Sequence, residues 1–134
     1  MAELSVPVRQ RGAVVKILVR APGSAHDFGP FPAYLDTGAS VTVLDCGVIQ
    51  VLGAEPLTEA GLHVLGRDTV SHHGVYAVEL ALADAEPSER AWFALEVLDG
   101  PVNPKGTAAA LGRDFLAHLV LTYDGPAGRV RLRW

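Results

Sequence analysis

The sequence predicts an all-β fold, a small closed barrel with one or two short helices and a long hairpin. Short runs rich in Val, Leu and Ala recur along the chain, and they are interrupted often by 14 Gly and 9 Pro residues. Several runs alternate apolar with polar residues, which is the period of a strand. The chain has 134 residues, 49% of them hydrophobic, so residues 1–134 are expected to form one domain with its own core.

The first strands are predicted near the N-terminus. Residues 4–9 alternate, but Pro7 confines that run to an edge or terminal position. Residues 13–20 form a second strand, and the Gly and Pro residues of 21–30 predict a loop after it. Residues 31–35 begin the next strand.

A short helix is predicted after the strand of residues 41–44. Asp45 is a suitable N-cap, and Gly53 suits the left-handed position that ends a helix after Leu52. The following segments predict a long β-hairpin, with strands at 61–65 and 70–82 and a turn at 66–69.

The last third of the chain is predicted to contain further strands and one short helix. Trp92 or Phe93 is expected to face the core from a strand at 90–98. The remaining predicted elements are an extended run at 108–112, a short helix at 114–118, and strands at 119–123 and 129–134 that are joined by a turn.

Charge and cysteine content exclude several classes of function. The net charge of −4 provides no basic surface for nucleic acid or an anionic membrane, so neither is expected as a partner. A single cysteine, Cys46, excludes an internal disulfide and a multi-cysteine metal site, and it is interpreted as a buried or half-buried residue. No apolar run approaches membrane-spanning length and the first thirty residues lack a signal-peptide core, so a cytoplasmic protein is expected.

One stretch, residues 31–44, combines apolar flanks with a polar centre. This pattern predicts a strand, a tight turn at Thr37-Gly38 and a departing strand, with Asp36 partly desolvated at the tip. One isolated Asp is a poor catalyst at neutral pH, whereas two facing carboxylates can share a proton and act as base and acid. Because no second D-T-G occurs, such a pair requires two copies of the chain.

Two motifs resemble those of the retropepsin-like, single-domain aspartic proteases. They are D-T-G-A-S at 36–40 and A-L-G-R-D-F-L at 110–116, and a closing strand to Trp134 follows. The resemblance implies a closed retropepsin-like barrel and a homodimeric endopeptidase. In that enzyme Asp36 of each subunit would flank the attacking water, the substrate would be a peptide or protein, and no cofactor or metal would be needed.

The resemblance also implies roles for neighbouring residues. Thr37 would bond the partner's loop, and Gly38 would allow the backbone to approach both that loop and the substrate. Ser40 stands where the viral enzymes carry an Asp that holds the substrate backbone. Gly112 would let a strand pass close behind the catalytic loop, and Asp114 is interpreted as a structural cap of the short helix.

The predicted hairpin corresponds to the family's flap, an arm that closes over the substrate. The resemblance implies substrate contacts from the tip region, and the candidates are Thr69, Val70, Ser71 and His72. His72 and His73 are adjacent, so on a strand they point to opposite faces and cannot converge on one metal ion.

The dimer is expected to form through the chain termini. Strands 4–9 and 129–134 carry apolar alternation that we expect to need a partner sheet, and in the resembling enzymes the termini of both subunits interleave. Two alternatives remain. The same fold could serve as a peptide-binding or dimerisation module that cleaves weakly or not at all, or D-T-G could be a surface turn of a binding barrel.

Overall fold

A computed structural model describes residues 2–10, 12–63 and 70–134. This part of the chain contains ten strands and two short α-helices. The strands are β1 (Glu3–Arg9), β2 (Gly12–Arg20), β3 (Asp27–Leu35), β4 (Val43–Leu44), β5 (Thr58–His63), β6 (Val70–Leu82), β7 (Phe93–Asp99), β8 (Ala109–Leu111), β9 (Val120–Asp124) and β10 (Arg129–Arg133). The helices are α1 (Cys46–Leu52) and α2 (Arg113–Leu116). Neither helix is long and apolar enough to cross a lipid bilayer.

Six of the strands close into a barrel. Their order is β2-β3-β8-β4-β7-β6, and β6 returns to pair with β2 from Ile17↔Leu82 to Arg20↔Glu79. Alternate residues of these strands point inward, and the completely buried side chains include Ile17, Val19, Leu80, Val97, Leu111 and Phe115. The predicted all-β barrel is therefore confirmed.

The terminal strands form a sheet within one chain. β10 lies between β1 and β9, with Val6 opposite Val130 and Leu4 opposite Leu132. Val6, Val130 and Leu132 are buried against the chain's own core. The expectation that their alternation needs a partner sheet is wrong, because β1 and β10 pair with each other and the chain's own core buries their apolar face.

β3 begins earlier than the sequence predicts. Residues 27–30, predicted as loop, belong to β3, in which Asp27 and Phe28 pair with Arg20 and Val19, and Gly29 and Pro30 lie at a register shift between Ile17 and Val19. Gly29 and Pro30 obscure the strand in the sequence, since both residue types are ordinarily depleted in strands, but they are tolerated beside such an irregularity.

The caps of α1 are as predicted. The Asp45 carboxylate accepts a 2.8 Å hydrogen bond from the Gly47 N–H, and Gly53 has φ of 67° in the left-handed region. The interpretation of Cys46 was wrong, because its side chain is exposed in the first turn of this amphipathic helix, whose buried residues are Val48 and Ile49.

The two aromatic residues that were candidates for the core lie at the start of β7 and directly before it. Phe93 packs against the barrel and meets Phe115 edge to face at a centroid distance of 5.6 Å. Trp92 instead lies under the Arg20 guanidinium, at 3.9 Å from its ring centroid, so Phe93 is the residue that faces the core.

Candidate active site

The loop that carries Asp36 is positioned by the strand order. β8 lies between β3 and β4, parallel to the first and antiparallel to the second. Residues 36–42 connect β3 to β4 and therefore pass around the end of β8. The Asp36 N–H anchors the start of this loop by donating a 2.9 Å hydrogen bond to the Leu111 carbonyl oxygen.

Asp36 is half-buried, as the sequence predicts. Its Oδ1 accepts a 3.0 Å hydrogen bond from the Gly38 N–H, and its carbonyl oxygen accepts from the Ala39 N–H at 3.2 Å. These bonds close a tight turn around the carboxylate. Thr37, Gly38 and Ser40 are exposed on the outer side of the turn.

The segment behind the loop approaches it too closely for any residue except glycine. A Cβ on Gly112 would lie 2.7 Å from the Val41 carbonyl carbon and 3.0 Å from the Ala39 carbonyl oxygen. Such contacts are with backbone, which cannot move aside as a flexible side chain can. The close approach expected at Gly112 is therefore present.

Arg113 ties the same segment to the loop through two bonds. Its backbone N–H donates to the Ala39 carbonyl oxygen at 2.8 Å, and its guanidinium Nη1 donates to the Thr37 carbonyl oxygen at 2.9 Å. The loop is thus held by the start of α2 through one backbone bond and one bond from the exposed Arg113 side chain.

Thr42 and Asp114 form the deepest part of this network. The Asp114 carboxylate accepts from the Thr42 hydroxyl at 2.7 Å and from the Thr42 N–H at 3.0 Å. The same hydroxyl accepts a 3.1 Å hydrogen bond from the Gly112 N–H, and Thr42 is 0% exposed. Every polar group of this cluster is satisfied, so the loop is rigid at its base.

This network adds one residue to the interpretation of Asp114. The N-cap position of α2 is Gly112, and the Asp114 carboxylate accepts from the Phe115 N–H at 2.8 Å in the first turn of the helix as well as from Thr42, so Asp114 is structural as expected. Thr42 was missed by the sequence reasoning. Its signal is a single hydroxyl within the otherwise apolar run 41–44, whose burial requires a hydrogen-bond partner.

The candidate flap residues lie on a separate element. β5 and β6 form the predicted hairpin, in register from Thr58↔Val75 to His63↔Val70. Val70, Ser71 and His72 are exposed on β6. Thr69 and the predicted turn at 66–69 lie outside the described residues.

His73 differs from its neighbour. Its side chain is only 10% exposed, its Nδ1 bonds the Asp99 carbonyl oxygen and its Nε2 lies 2.7 Å from the Ser71 hydroxyl. His72 and His73 therefore occupy different environments. Among the described residues, no three His, Cys, Asp or Glu side chains are grouped to hold a metal ion.

Two apolar grooves adjoin the loop. One has a volume of about 350 Å³ and is lined by Thr37, Arg113, Leu116, Ala117 and Leu121. The other, of about 190 Å³, shares Thr37 and Leu121 and also contains Tyr34 and Tyr123. The loop thus borders both grooves through Thr37, next to the residue that carries the carboxylate.

Two solved structures are similar to this one. A retropepsin-like aspartic protease from Rickettsia conorii is 14% identical, with 97% of this chain and 89% of that chain covered and a TM-score of 0.59. The EIAV protease complexed with the inhibitor HBY-793 is 19% identical, with 83% and 89% covered and a TM-score of 0.50. No protein-family model and no curated protein matches the sequence. The barrel, with the Asp36 loop passing around β8, therefore has the retropepsin-like fold.

Proposed function

We propose that the chain is an aspartic endopeptidase that acts as a homodimer, with Asp36 of each subunit contributing to a shared dyad. The observation that carries the proposal is the placement of Asp36. It is a half-buried carboxylate at the tip of a loop with a rigid base, in a fold whose two compared structures are an aspartic protease and a protease bound to an inhibitor.

The chemistry requires one proton shared by the two carboxylates. The ionised Asp36 takes a proton from a water molecule as the water oxygen adds to the peptide carbonyl carbon, and the protonated Asp36 gives its proton to the carbonyl oxygen. The tetrahedral intermediate then breaks its C–N bond as the Asp36 that took the water's proton gives it to the leaving nitrogen, while a hydroxyl of the intermediate returns its proton to the other Asp36, so that the pair again holds one proton. No metal and no cofactor takes part.

The neighbouring residues would serve this dyad. Thr37 is exposed and can reach a partner's loop, and its carbonyl oxygen is fixed by Arg113. Gly38 would keep the outer side of the turn open, and Ser40 would hold the backbone of the substrate. An extended peptide would lie between this floor and the hairpin, against the residues Thr69, Val70, Ser71 and His72.

The test is cleavage of a peptide library between pH 3 and pH 8, with Asp36→Asn as the matched inactive variant. Only the singly protonated pair contains both a base and an acid, so we expect a bell-shaped rate profile with its maximum at about pH 4 to 6. Asp36→Asn should abolish cleavage, because an amide can neither accept the proton of water nor donate one as the carboxyl group does. The two side chains have the same shape, so thermal unfolding should be unchanged. A chelator should have no effect.

Two results would contradict this function. Cleavage by Asp36→Asn at more than a few per cent of the original rate would place the chemistry elsewhere. Binding of library peptides without cleavage, unchanged by Asp36→Asn, would identify a peptide-binding module on the same fold.

A further inference from the structure

A serine, a histidine and an aspartate meet where β6 extends beyond the end of β7. Ser71 and His73 are alternate residues of β6, so their side chains project from the same face of the hairpin. The Ser71 Oγ lies 2.7 Å from the His73 Nε2. Asp99, the last residue of β7, bonds the other ring nitrogen, Nδ1, through its carbonyl oxygen. A hydroxyl, a base and a group that orients the base are thus connected by hydrogen bonds, as in the sites of nucleophilic catalysis.

The hydrogen bond to Asp99 determines which ring nitrogen of His73 carries the proton. A carbonyl oxygen can only accept, so Nδ1 is the protonated nitrogen. In a neutral imidazole, Nε2 is then unprotonated and accepts from the Ser71 hydroxyl. The imidazole therefore presents its basic nitrogen to the hydroxyl proton, which is the proton that must leave when a serine acts as a nucleophile.

The imidazole ring is fixed by its surroundings. A Cβ on Gly100 would lie 3.0 Å from the His73 Cε1 and Nδ1, so the ring packs directly against that backbone. The Asp99 carboxylate accepts from the Gly74 N–H at 2.9 Å and from the Tyr76 hydroxyl at 3.3 Å. Its Oδ1 lies 3.9 Å from the His73 Nδ1, so the carboxylate would stabilise the ring once it has taken a second proton.

The two ends of this chain of hydrogen bonds differ in accessibility. Ser71 is exposed, whereas the His73 side chain is only 10% exposed. The hydroxyl is therefore open to a reactant from solvent while the base behind it is shielded. The carboxylate chemistry proposed for Asp36 uses neither the His73 base nor a serine nucleophile.

We propose that Ser71 is a reactive centre separate from Asp36, a nucleophile that accepts an acyl group from an ester. The Ser71 Oγ adds to the ester carbonyl carbon as its proton passes to the His73 Nε2. The tetrahedral adduct then expels the alcohol oxygen, which takes that proton from His73, so that an acyl ester on Ser71 and a free alcohol are formed. This inference goes beyond the proposed function and does not rest on it, since it requires neither Asp36 nor a second copy of the chain.

A second Ser-x-His sequence provides an internal control. Ser24 and His26 have the same spacing as Ser71 and His73, but the Ser24 Oγ accepts from the His26 N–H at 3.1 Å and lies 3.4 Å from the His26 carbonyl oxygen. Ser24 therefore bonds the backbone of its neighbour and not the imidazole. A carbonyl oxygen is not a base that could remove the hydroxyl proton, so Ser24 is expected to be unreactive.

The first experiment is reaction with an alkyl fluorophosphonate, which forms an Oγ–P bond with an activated serine and releases fluoride. Intact-protein mass spectrometry follows the reaction, and peptide mapping locates the label. We expect one label per chain, on Ser71, and none on this peptide in Ser71→Ala. Ser24→Ala should be labelled as fast as the parent chain, and so should Asp36→Asn.

His73→Gln separates a base from a structural role. A glutamine amide can donate to the Asp99 carbonyl oxygen and accept from the Ser71 hydroxyl, but it cannot take a proton at neutral pH. Labelling should therefore slow by about a hundredfold, the factor that a positioned base typically contributes. Thermal unfolding should remain close to that of the parent chain, which verifies that the variant folds.

The second experiment tests acyl transfer itself with the ester p-nitrophenyl acetate. It is performed in a Cys46→Ala background, because the exposed Cys46 thiol is also a nucleophile. We expect rapid release of p-nitrophenolate and an acetyl group that peptide mapping places on Ser71. Ser71→Ala should lose this rapid phase, and Ser24→Ala should retain it.

Four results would overturn the proposal. They are a parent chain without label on Ser71, labelling of folded His73→Gln at the parent rate, equal reactivity of Ser24 and Ser71, and a Ser71 that reacts with the fluorophosphonate but not with the ester. None of these results bears on Asp36. An unreactive Ser71 in a chain with Asp36-dependent cleavage would keep the proposed function, and a reactive Ser71 in a chain that cleaves no peptide would keep this inference.

Discussion

The two sides of the Asp36 loop differ in how completely their groups are satisfied. On the inner side, Gly112, Thr42 and Asp114 are packed and hydrogen-bonded with no room for an added methyl group. On the outer side, Thr37 and Ser40 are exposed next to apolar grooves. The inner side fixes where the carboxylate stands, and the outer side leaves it accessible.

The contrast between the two sides predicts that substitutions in this one loop can change stability and cleavage separately. Inner-side substitutions should act first on folding, and any effect on catalysis would follow from a displaced Asp36. Outer-side substitutions should act on cleavage with the fold intact. Such a rigid base under an open surface is what preorganised catalysis requires.

The largest effect is expected for Gly112→Ala. Its Cβ would lie 2.7 Å from the Val41 carbonyl carbon, so the loop or β8 must shift, at a cost of about 3 kcal/mol in free energy of unfolding. Urea denaturation of the variant and the parent chain measures this loss.

Gly38→Ala is the matched control on the outer side. There the Cβ would meet only the Asp36 Oδ1, at 3.2 Å, so stability should fall by less than about 1 kcal/mol while cleavage is reduced. Equal destabilisation by both substitutions would refute the distinction between the two sides.

The next largest effect is expected for Thr42→Val. The substitution keeps the shape but removes the hydroxyl, which leaves the Gly112 N–H without its acceptor and the Asp114 carboxylate without one donor. Uncompensated buried polar groups cost about 1 to 3 kcal/mol. Chemical denaturation should show that loss, and Thr58→Val, at an exposed strand position, should be close to neutral.

A Thr42→Val variant as stable as the parent chain would mean that the Thr42–Asp114 pair contributes no net stability. The rigidity of the base would then come from packing at Gly112 alone. The cleavage rates of Gly112→Ala and Thr42→Val should be compared per folded molecule. A reduced rate per folded molecule indicates a displaced Asp36, whereas an unchanged one indicates that activity was lost only by unfolding.

The elements with regular alternation could be predicted from the sequence, and those set by distant contacts could not. The strands and the caps of α1 follow from local patterns, whereas the close approach at Gly112 was implied by the resemblance to the family. The Thr42–Asp114 pair joins positions that are 72 residues apart, so no local pattern reveals it. The start of β3 was missed because Gly29 and Pro30 are typical of a loop, and the local pattern does not reveal that Asp27 and Phe28 before them pair with β2.

The terminal strands show a different limit. Their alternation correctly identified a buried face, but it did not tell whether the covering strand belongs to the same chain. Val6 and Val130 are neighbours on one face of a sheet, and the core of the same chain buries both.

A smaller effect is expected at the barrel closure, far from both sides of the loop. The Glu79 carboxylate accepts from the Gly23 N–H at 2.7 Å and from Arg20 Nε at 3.2 Å, and these bonds hold the pKa of Glu79 below its usual value. A lowered folded-state pKa contributes stability that is complete above the unfolded-state pKa and is lost as the pH falls through the folded-state pKa.

Glu79→Gln should therefore lower the free energy of unfolding by about 1 kcal/mol at pH 7 and by progressively less below about pH 4. Thermal denaturation at a series of pH values measures the difference from the parent chain. Cleavage per folded molecule should be unchanged, because Glu79 contacts neither side of the loop. If the two chains differ in free energy of unfolding by the same amount down to pH 2, the negative charge of Glu79 is not the cause of the difference.

The smallest effect on stability is expected for Ser40→Ala. Ser40 is exposed on the outer side of the loop, and surface substitutions of this kind change stability by about 0.5 kcal/mol or less. If Ser40 holds the backbone of a bound peptide, losing its hydroxyl weakens binding by one hydrogen bond, so KM should rise about fivefold with kcat nearly unchanged. Steady-state kinetics on one library peptide separates the two parameters. A fall in kcat with constant KM would show instead that Ser40 acts on the dyad itself, and the outer side would then contain a second residue that fixes the position of Asp36.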